Sequence, residues 1–295
     1  MTAAKPVAIV GLGLMGEVYA RRLLDAGIPV IGFDIDTARR AQLDAIGGQS
    51  VASIAALARP ARCVLLAVFN TDQVEDVVDN HLLAALGDNS GQIVICMSTC
   101  DPDRISALGE RASRRGLRFL DLPVSGTSEQ VRQGDGVGLI GGDARIAAEI
   151  KPVLDALLAR SFHVGKIGDG GRAKLAVNLI LGLNRLALAE GLVFAERLGL
   201  DPAAFLPVAK GAASYSQVMD SKGLKMVHGD FAPEGRARQT LKDAQLMLAQ
   251  AKAVGQKLSM LEVHADVLEQ CVAQGEGDLD NSVVINEVRR RTALV

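Results

Sequence analysis

The most informative stretch of this 295-residue chain is VAIVGLGLMG, residues Val7–Gly16. An apolar run of strand type meets a Gly-x-Gly-x-x-Gly turn at Gly11, Gly13 and Gly16, and a helix-like pattern follows. The first glycine permits the tight turn, the second lets the backbone approach a pyrophosphate, and the third lets helix and strand pack closely. The motif therefore predicts a dinucleotide site whose phosphates lie at the helix N-terminus, where the helix dipole favours negative charge.

A second apolar run, Pro29–Phe33, ends in Asp34, 18 residues after the last of these glycines. A dinucleotide-binding chain has a carboxylate at this place that binds the ribose 2′-hydroxyl. The same carboxylate would repel a 2′-phosphate, and no arginine is adjacent, so the sequence favours NAD and makes NADP less favoured. Arg39 and Arg40 follow one helical turn later and leave that preference open. A glycine turn that only packs is the alternative to a nucleotide site.

The composition indicates a soluble protein with an aliphatic core. Apolar residues make up 49% and charged residues 22%, with a formal net charge of −2, so neither nucleic acid nor an anionic membrane is an expected partner. The four cysteines have no metal or disulfide spacing, which predicts reduced structural thiols and no bound metal. The chain enters its first strand without a leader-like segment, so a cytoplasmic location is expected.

Short β-type runs alternate with helical stretches through the first half of the chain. Seven runs are predicted to be strands: Val7–Val10, Pro29–Phe33, Cys63–Val68, Gln92–Met97, Leu117–Asp121, Val137–Ile140 and Phe162–Val164. Helices fit between most of them, as at Asp101–Arg115, where an Asp-Pro pair begins the helix and Gly116 ends it. Such alternation predicts an α/β fold with a doubly wound, mainly parallel sheet.

The pattern changes after Gly165. The glycines at positions 168, 170 and 171 are predicted to form a hinge, and no convincing strand follows them. Long helical patterns come instead, at Ala173–Leu198, Gln239–Val254 and Ser259–Gln274. The sequence therefore predicts a dinucleotide-binding domain at residues 1–165 and an all-helical domain for substrate binding and dimerisation at residues 166–295.

The first of these helical patterns is apolar on most sides. It contains Asn178, Asn184, Arg185 and Glu190, which favour a buried or interfacial helix over a membrane span. An exposed apolar helix is also an association surface. A homodimer or homotetramer is therefore expected, and a helix covered by its own neighbours is the alternative.

Two predicted strand ends carry hydroxyl groups, and ligands of open α/β sheets bind at this edge. Ser98 and Thr99 follow one strand, where they could face the nicotinamide side of a nucleotide or begin a helix. Ser125 and Gly126 follow another. Their turn offers backbone donors and a hydroxyl suited to a carboxylate, or is an ordinary structural turn.

Lys174 and Asn178 are the candidates for proton transfer. They lie four residues apart, so one helix face presents both. If Lys174 is buried among its apolar neighbours, the neutral amine is favoured and can exchange a proton with an alcohol. If it extends to solvent, it has no such role. Asn178 could orient the lysine or a substrate hydroxyl.

These motifs together resemble the β-hydroxyacid dehydrogenase family, which includes 3-hydroxyisobutyrate dehydrogenase and tartronate semialdehyde reductase. The resemblance covers essentially the whole chain, and its segments are Gly11–Gly16, Ser98-Thr99, Asp121–Gly126, Gly168–Asn178, Gly229–Phe231 with Pro233, Leu241–Asp243 and Asp280–Ser282. It implies a Rossmann-type nucleotide domain followed by an all-α domain. It also implies NAD(P)-dependent hydride transfer between the nicotinamide and a small 3-hydroxy acid or its carbonyl form.

The resemblance assigns roles to individual residues. It implies that Lys174 is the general acid and base and that Asn178 positions both the lysine and the substrate hydroxyl. It implies that the substrate carboxylate is held by Ser125, Gly126 and Thr127. The cofactor-binding residues that it implies are Gly11, Gly13, Leu14, Met15, Gly16, Asp34, Val68, Thr99 and Lys242. No metal takes part in such a reaction.

The chain departs from the family pattern in the substrate loop. Thr127 stands where the family usually has a second glycine, and its side chain narrows the pocket or adds a hydroxyl there. The arginines at positions 132, 236 and 238 could recognise an anionic substrate tail, or could be solvated surface charges. The exact hydroxy acid is therefore left open.

Other functions are kept as alternatives. An imine reductase of similar architecture would usually have Asp or Tyr where Lys174 stands. A phosphogluconate dehydrogenase shares the motifs but is much longer. A protein that binds NAD without turnover would be favoured by loss of the lysine, and both Lys174 and Asn178 are present.

Overall fold

The apolar run before the glycine turn lies inside a sheet in the computed structural model, which describes residues 5–291. The chain divides into two units, Met1–Lys174 and Leu175–Val295. The first unit contains a mainly parallel sheet with helices. Within the described residues, the second is helical apart from one isolated bridge between Arg236 and Asp280. The predicted fold class, a doubly wound α/β domain followed by an all-α domain, is confirmed.

Among the described residues, the sheet of the first unit has nine strands, and their order shows where a ligand site should lie. The strands are Val7–Val10 (β1), Val30–Phe33 (β2), Gln49–Ser50 (β3), Cys63–Leu66 (β4), Ile93–Cys96 (β5), Arg118–Asp121 (β6), Val124–Ser125 (β7), Val137–Gly141 (β8) and Arg160–Gly165 (β9). They are arranged β3-β2-β1-β4-β5-β6-β8-β7, with β9 also paired to β8. The chain order reverses between β1 and β4, which is the topological switch point at which such sheets bind ligands.

The carboxyl ends of the parallel strands coincide. Val10 of β1 is in register with Phe33 of β2 and with Leu66 of β4. Leu66 is in turn in register with Cys96 of β5, and Cys96 with Asp121 of β6. The residues that follow these five positions therefore lie along one edge of the sheet.

Helices cover both faces of this sheet. They are Leu14–Asp25 (α1), Thr37–Ala45 (α2), Ile54–Ala58 (α3), Thr71–Asp76 (α4), Leu83–Leu86 (α5), Pro102–Arg114 (α6), Ser128–Arg132 (α7), Ala144–Glu149 (α8) and Lys151–Leu157 (α9), with a π-helical segment at Val77–Leu82. Successive residues of a strand point to opposite faces. Ala8 and Ile9 of β1 accordingly belong to two different apolar clusters, and both are fully buried, as expected for a central parallel strand.

The second unit is a set of helices around an aliphatic core. The helices are Asp169–Arg197 (α10, which begins in the first unit), Pro202–Gly211 (α11), Val218–His228 (α12), Ala237–Ala253 (α13), Ser259–Ala273 (α14) and Val284–Arg290 (α15). Short 3₁₀ segments lie at Glu276–Asp278 and Asn281–Val283. The core side chains include Leu192, Met226 and Leu268, all nearly inaccessible to solvent.

The structure corrects the predicted start of α10. The helix begins at Asp169, so Gly170 and Gly171 lie in its first turn, and the prediction of a hinge at these two positions was wrong. A Cβ on Gly170 would lie 2.5 Å from the carbonyl oxygen of Leu139 and 2.8 Å from that of Asp121. The glycine is needed because the start of the helix packs directly against strand backbone.

Helix α10 is long and apolar enough to cross a membrane by length and composition, a test that core helices of soluble proteins also pass. In its most apolar window 39% of the residues are buried. Polar side chains interrupt it at Asn178, Arg185 and Glu190, and Arg185 is buried. Buried charged side chains are rare in membrane-spanning segments.

The shortest strands were not predicted from the sequence. Strands β3 and β7 have two residues each, too few to show an alternating pattern. Four predicted runs were too long: residues 67–68 and 97 leave β4 and β5 for the ligand edge, and residues 29, 92 and 117 precede β2, β5 and β6. Helices α11, α12 and α15 were also not predicted.

Candidate active site

The turn between β1 and α1 leaves little room for side chains. Gly11 has a φ of +93°, and a Cβ there would lie 2.6 Å from the carbonyl oxygen of Ala67. A Cβ on Gly16 would lie 1.9 Å from the carbonyl oxygen of Gly11. Gly13 differs, because a Cβ there would meet only the end of Arg39, at 3.5 Å. Packing thus requires two of the glycines, while Gly13 keeps the backbone accessible to a ligand.

The N-terminus of α1 is suited to an anion. Gly13 is its N-cap residue and supplies no side-chain cap, and Leu14 and Met15 are the first residues of this 12-residue helix. Peptide N–H groups in the first turn of a helix have no partner within the helix, and the helix dipole favours negative charge there. This geometry fits the pyrophosphate of a dinucleotide.

Asp34 lies just beyond the carboxyl end of β2 and is only 5% exposed. Its carboxylate accepts hydrogen bonds from the backbone amides of Leu12, at 2.7 Å, and Asp36, at 2.9 Å. The first bond fixes the carboxylate beside the glycine turn. This is the position from which an acidic residue reaches the ribose of a bound dinucleotide.

Arginine side chains lie closer to Asp34 than the sequence suggested. Arg39 places its Nη1 3.4 Å from the Asp34 carboxylate and its Nε 3.6 Å from that of Asp36. Arg40 donates to the carbonyl oxygen of Asp34 at 3.2 Å and lies over the ring of Phe33. Of the two arginines that the sequence left open, Arg39 therefore places a cation beside the ribose-binding position.

The hydroxyl of Ser98 is hydrogen-bonded within the first unit. Ser98 is buried and donates a 2.7 Å hydrogen bond to the carbonyl oxygen of Val68, which joins the loops after β4 and β5. The N-cap of α6 is Asp101, whose carboxylate accepts hydrogen bonds from the backbone amides of Asp103 and Arg104. Val68 and Thr99 follow strands at the ligand edge, and their contact with a cofactor stays a prediction.

The predicted substrate loop comprises the end of β7 and the start of α7. Ser125 is half-buried, and Gly126 has a φ of +142°, which favours glycine. The hydroxyl of Thr127 accepts a hydrogen bond from the amide of Gln130, and the Thr127 amide donates to the side-chain oxygen of Gln130 at 2.9 Å. This reciprocal pair is a capping box. The departure at Thr127 therefore has a structural use, because it starts a helix.

Asp121 connects the end of β6 to the start of α10. Its carboxylate, 2% exposed, accepts a 2.7 Å hydrogen bond from the amide of Gly171. Burial raises the pKa of Asp121 to about 6, although bonds from the Gly171 and Gly168 amides oppose this rise. Lys174 follows three residues later and is only 6% exposed, so its side chain does not extend into solvent. Asp121 begins the segment that resembles the family's substrate loop, and the sequence pattern predicted no separate role for it.

In the second unit, Asp243 joins Asn178 to Lys242. The Asn178 side-chain amide donates to one oxygen of Asp243 at 3.1 Å, and Nζ of Lys242 lies 3.0 Å from the other. Both partners of the ion pair are largely buried. Asp243 was also missed as a site residue. The available signal was a carboxylate next to Lys242, in a segment that already carried the resemblance.

A buried ion pair holds the segment at residues 229–234. Lys222 places its Nζ 2.9 Å from Asp280 and 3.1 Å from Glu234, and Lys222 and Asp280 are almost inaccessible to solvent. The amide of Asp280 donates to the carbonyl oxygen of Phe231 at 2.9 Å. The segment that resembles a cofactor-closing region is thus fixed to α12 and to the residues before α15.

The three arginines considered for an anionic substrate tail have carboxylate neighbours. Arg132 lies 2.7 Å from Glu129, and Arg238 lies 2.6 Å from Asp278. Arg236 lies 3.8 Å from the same aspartate. Arg132 and Arg238 are thus largely exposed and paired, whereas Arg236 is partly buried and its Nε has no hydrogen-bonding partner among the described residues.

Cysteine and metal chemistry have no organised site in the described residues. All four cysteines are free and buried. Within residues 5–291, no three His, Cys, Asp or Glu side chains are grouped so that they could hold a metal ion.

Two family models match consecutive parts of the chain. The NAD binding domain of 6-phosphogluconate dehydrogenase matches residues 6–165. The domain described as NAD-binding of NADP-dependent 3-hydroxyisobutyrate dehydrogenase matches residues 168–288. The similarity therefore includes both the sheet-containing and the helical part.

Individual proteins are similar over nearly the full length. The 2-(hydroxymethyl)glutarate dehydrogenase of Eubacterium barkeri is 28% identical over 289 residues, which are 98% of this chain and 96% of that protein. The 2-hydroxy-3-oxopropionate reductase of Escherichia coli (strain K12) is 28% identical over 95% of each chain. A crystal structure of 3-hydroxyisobutyrate dehydrogenase from Salmonella typhimurium, 28% identical, covers 95% of this chain and 98% of its own with a TM-score of 0.86.

Proposed function

The chain belongs to the β-hydroxyacid dehydrogenase family, whose members are nicotinamide-dependent oxidoreductases of hydroxy acids. We propose that it is an NAD-dependent 3-hydroxy acid dehydrogenase with Lys174 as its general acid and base. The observation that carries the proposal is the burial of Lys174. An amine that is 6% exposed, within an otherwise apolar part of α10, is the arrangement expected for proton exchange and not for solubility.

The nucleotide-binding residues fit a dinucleotide. The uncapped N-terminus of α1 and the open position at Gly13 suit a pyrophosphate, and the buried carboxylate of Asp34 suits a ribose diol. Because Asp34 would repel a 2′-phosphate, NAD is the preferred cofactor. Arg39 reduces this repulsion, so we expect measurable use of NADP.

When bound, the nicotinamide supplies or accepts the hydride. In the oxidation direction, Lys174 takes the proton of the substrate hydroxyl onto Nζ. In the reduction direction, the Lys174 ammonium polarises the carbonyl and donates a proton to the forming alkoxide. Ser125 and Gly126 hold the substrate carboxylate through the hydroxyl and the backbone of the loop, which orients the reacting carbon.

Asn178 and Lys242 complete the proposed machinery. Asn178 positions the substrate hydroxyl and the Lys174 amine, while Asp243 holds the Asn178 amide in one orientation. Lys242 binds the cofactor, and its pairing with Asp243 restrains its ammonium group before the cofactor arrives. Thr127 acts on the substrate only through the loop that it caps.

We also propose a cytoplasmic homodimer or homotetramer. Four free, buried cysteines suit a reducing compartment. Helix α10 exposes Ile180 and Phe194, at 61% and 66%, and exposed apolar side chains on one helix favour association. Light scattering on purified protein tests the assembly, and a monomer at micromolar concentration would contradict it.

The deciding experiment follows NADH absorbance with a panel of hydroxy acids. The panel includes 3-hydroxyisobutyrate, glycerate, threonate, serine and 2-(hydroxymethyl)glutarate, each with NAD and with NADP. We expect turnover with NAD, and a fall in kcat of about 10²- to 10⁴-fold in Lys174→Ala with NADH affinity retained. Lys151→Ala, which changes an exposed lysine paired with Asp155, is the matched control.

Three results would overturn the proposal. Retention of wild-type kcat in Lys174→Ala would remove the lysine from the mechanism. Tight NADH binding without turnover of any hydroxy acid would instead favour a non-catalytic NAD-binding protein, and turnover of cyclic imines alone would favour an imine reductase.

A further inference from the structure

The face of α10 that carries Asn178 continues to Gly182 and Arg185. These positions lie four and seven residues after Asn178, which is about one and two helical turns, so the three residues share one side of the helix. Arg185 was noticed in the sequence only as a polar interruption of an apolar helix. The second unit gives it an unusual environment.

Two nitrogens of the buried Arg185 guanidinium have no hydrogen-bonding partner in the described part of the chain. Arg185 is 9% exposed, and neither its Nε nor its Nη1 has an acceptor among residues 5–291. Burial lowers the pKa of Arg185 to about 10, so the guanidinium keeps its charge at neutral pH. An uncompensated charge in the interior is strongly unfavourable, whereas the same charge against a bound anion is not.

The acid whose charge acts on Arg185 is Asp280, and its oxygens are already occupied. Asp280 accepts five hydrogen bonds, from Lys222, from the amides of Glu234 and Gly235, and from the amide and hydroxyl of Ser282. A carboxylate has about four lone-pair sites. Asp280 therefore has no acceptor site left for a hydrogen bond from Arg185, and it acts on the guanidinium only through its charge.

His264 lies beside Arg185 and has the same deficit. It is 2% exposed, and both of its ring nitrogens lack a partner in the described part of the chain. Its ring lies against α10 at Gly182, where a Cβ would be 2.7 Å from the ring. Burial, assisted by the charge of Arg185, lowers the pKa of His264 to about 4, so the ring is neutral and presents one donor and one acceptor.

We propose that Arg185 and His264 bind the second carboxylate of a dicarboxylic hydroxy acid, an inference that rests on the function proposed above. One guanidinium and a neutral imidazole match the single charge of a carboxylate, and the planar guanidinium can bind both of its oxygens. Arg132 and Arg238 are poorer candidates, because each is already paired with a carboxylate within 2.7 Å, and Arg236 is more exposed than Arg185.

The position along α10 also agrees with a substrate tail. Seven residues of helix separate Asn178 from Arg185 by about 10 Å along the axis. Long side chains of a helix lean toward its N-terminus, which brings the guanidinium back toward Asn178. The guanidinium is thus placed toward a substrate whose hydroxyl is held at Lys174 and Asn178, and the His264 ring lies between them at Gly182, where it can contact the second carboxylate.

A binding experiment tests the site without catalysis. Thermal unfolding with NAD present is compared in glutarate, butyrate and sodium chloride, for wild type, Arg185→Met and the control Arg197→Met, which changes an exposed arginine of the same helix. Glutarate should raise the Tm of the wild type and of Arg197→Met but not of Arg185→Met. Butyrate and chloride should have little effect on any of the three. An equal shift with butyrate or chloride, or no shift with glutarate, would overturn the proposal.

A kinetic experiment tests whether Arg185 affects the KM of dicarboxylic hydroxy acids more than that of monocarboxylic ones. In Arg185→Met the KM for dicarboxylic hydroxy acids should rise about tenfold to a hundredfold, with KM for monocarboxylic ones unchanged. Methionine removes the charge and keeps an unbranched chain, so the fold should persist. Arg185→Lys, which keeps the charge without the fork, should give an intermediate KM. Equal changes for both classes would reject the site. Absence of all turnover would reject the proposed function, and the glutarate experiment would still decide this inference.

Discussion

The carboxylate of Asp121 accepts a 2.7 Å hydrogen bond from the backbone amide of Gly171, so the end of a central strand holds the first turn of the helix that carries Lys174. The two residues are 50 positions apart in the chain. The contact requires a glycine at position 170, because a Cβ there would lie 2.8 Å from the Asp121 carbonyl oxygen. The position of Lys174 thus depends on a buried carboxylate.

This contact predicts a pH dependence of stability. Burial raises the pKa of Asp121 from 3.8 to about 6, so between these pH values the folded chain holds a proton that the unfolded chain has lost. The free energy of unfolding should therefore decrease as pH rises through this range, by up to roughly 3 kcal/mol, and this contribution should be constant above it. Urea unfolding of wild type and Asp121→Asn from pH 4 to pH 7.5 isolates the effect. Parallel curves for the two proteins would contradict it.

The glycine turn predicts two different outcomes for similar substitutions. Gly16→Ala places a Cβ 1.9 Å from the Gly11 carbonyl oxygen and should cost about 1–3 kcal/mol of stability. Gly13→Ala meets only the end of a flexible arginine, so its Tm should stay close to that of the wild type. Both should bind NADH more weakly, Gly13→Ala because its methyl group occupies the space of the pyrophosphate. Thermal unfolding and calorimetric titration with NADH separate the two effects, and a wild-type Tm for Gly16→Ala would refute the packing argument.

The pair of Asp34 and Arg39 predicts the control of cofactor choice. Asp34→Ser removes the repulsion of a 2′-phosphate while Arg39 remains, so the ratio of kcat/KM for NADP to that for NAD should rise at least about tenfold, equivalent to about 1.4 kcal/mol. Adding Arg39→Met should cancel most of this gain. Initial rates with both cofactors measure the ratio. If Arg39→Met leaves NADP use unchanged in the Asp34→Ser background, Arg39 does not contact the phosphate.

The chain of contacts from Asn178 through Asp243 to Lys242 predicts coupled effects. Asp243→Asn removes the ion pair to Lys242 but keeps an acceptor for Asn178, so the KM for NAD should rise more than kcat falls. Lys242→Met should have a similar effect. If Asp243 acts by restraining Lys242, the double variant should be little worse than either single one, with a coupling energy of about 0.5–3 kcal/mol. Strictly additive losses would show that the two residues act independently.

The sequence by itself determined the fold class and the order of its parts. Val7–Gly16 was recognisable because strand, glycine turn and helix follow one another within a short stretch, and because the backbone needs of such a turn admit few residues other than glycine. The alternation of apolar runs and helical patterns was equally local, and it predicted strands β1, β2, β4, β5, β6 and β8 close to their observed bounds. The positions of Lys174 and Asn178 on one helix face followed from helical periodicity alone.

Tertiary structure alone decided which polar and charged groups lie in contact. Asp121 lies 50 residues from Gly171, and Asn178 lies 65 residues from Asp243, so no local pattern could join them. Arg39 is close to Asp34 in sequence, yet the direction of its side chain was set by packing around the turn. Likewise, only folding buries Arg185 beside His264 and assigns Asp280 to other donors, since burial and hydrogen-bond capacity belong to the assembled interior and not to any single segment.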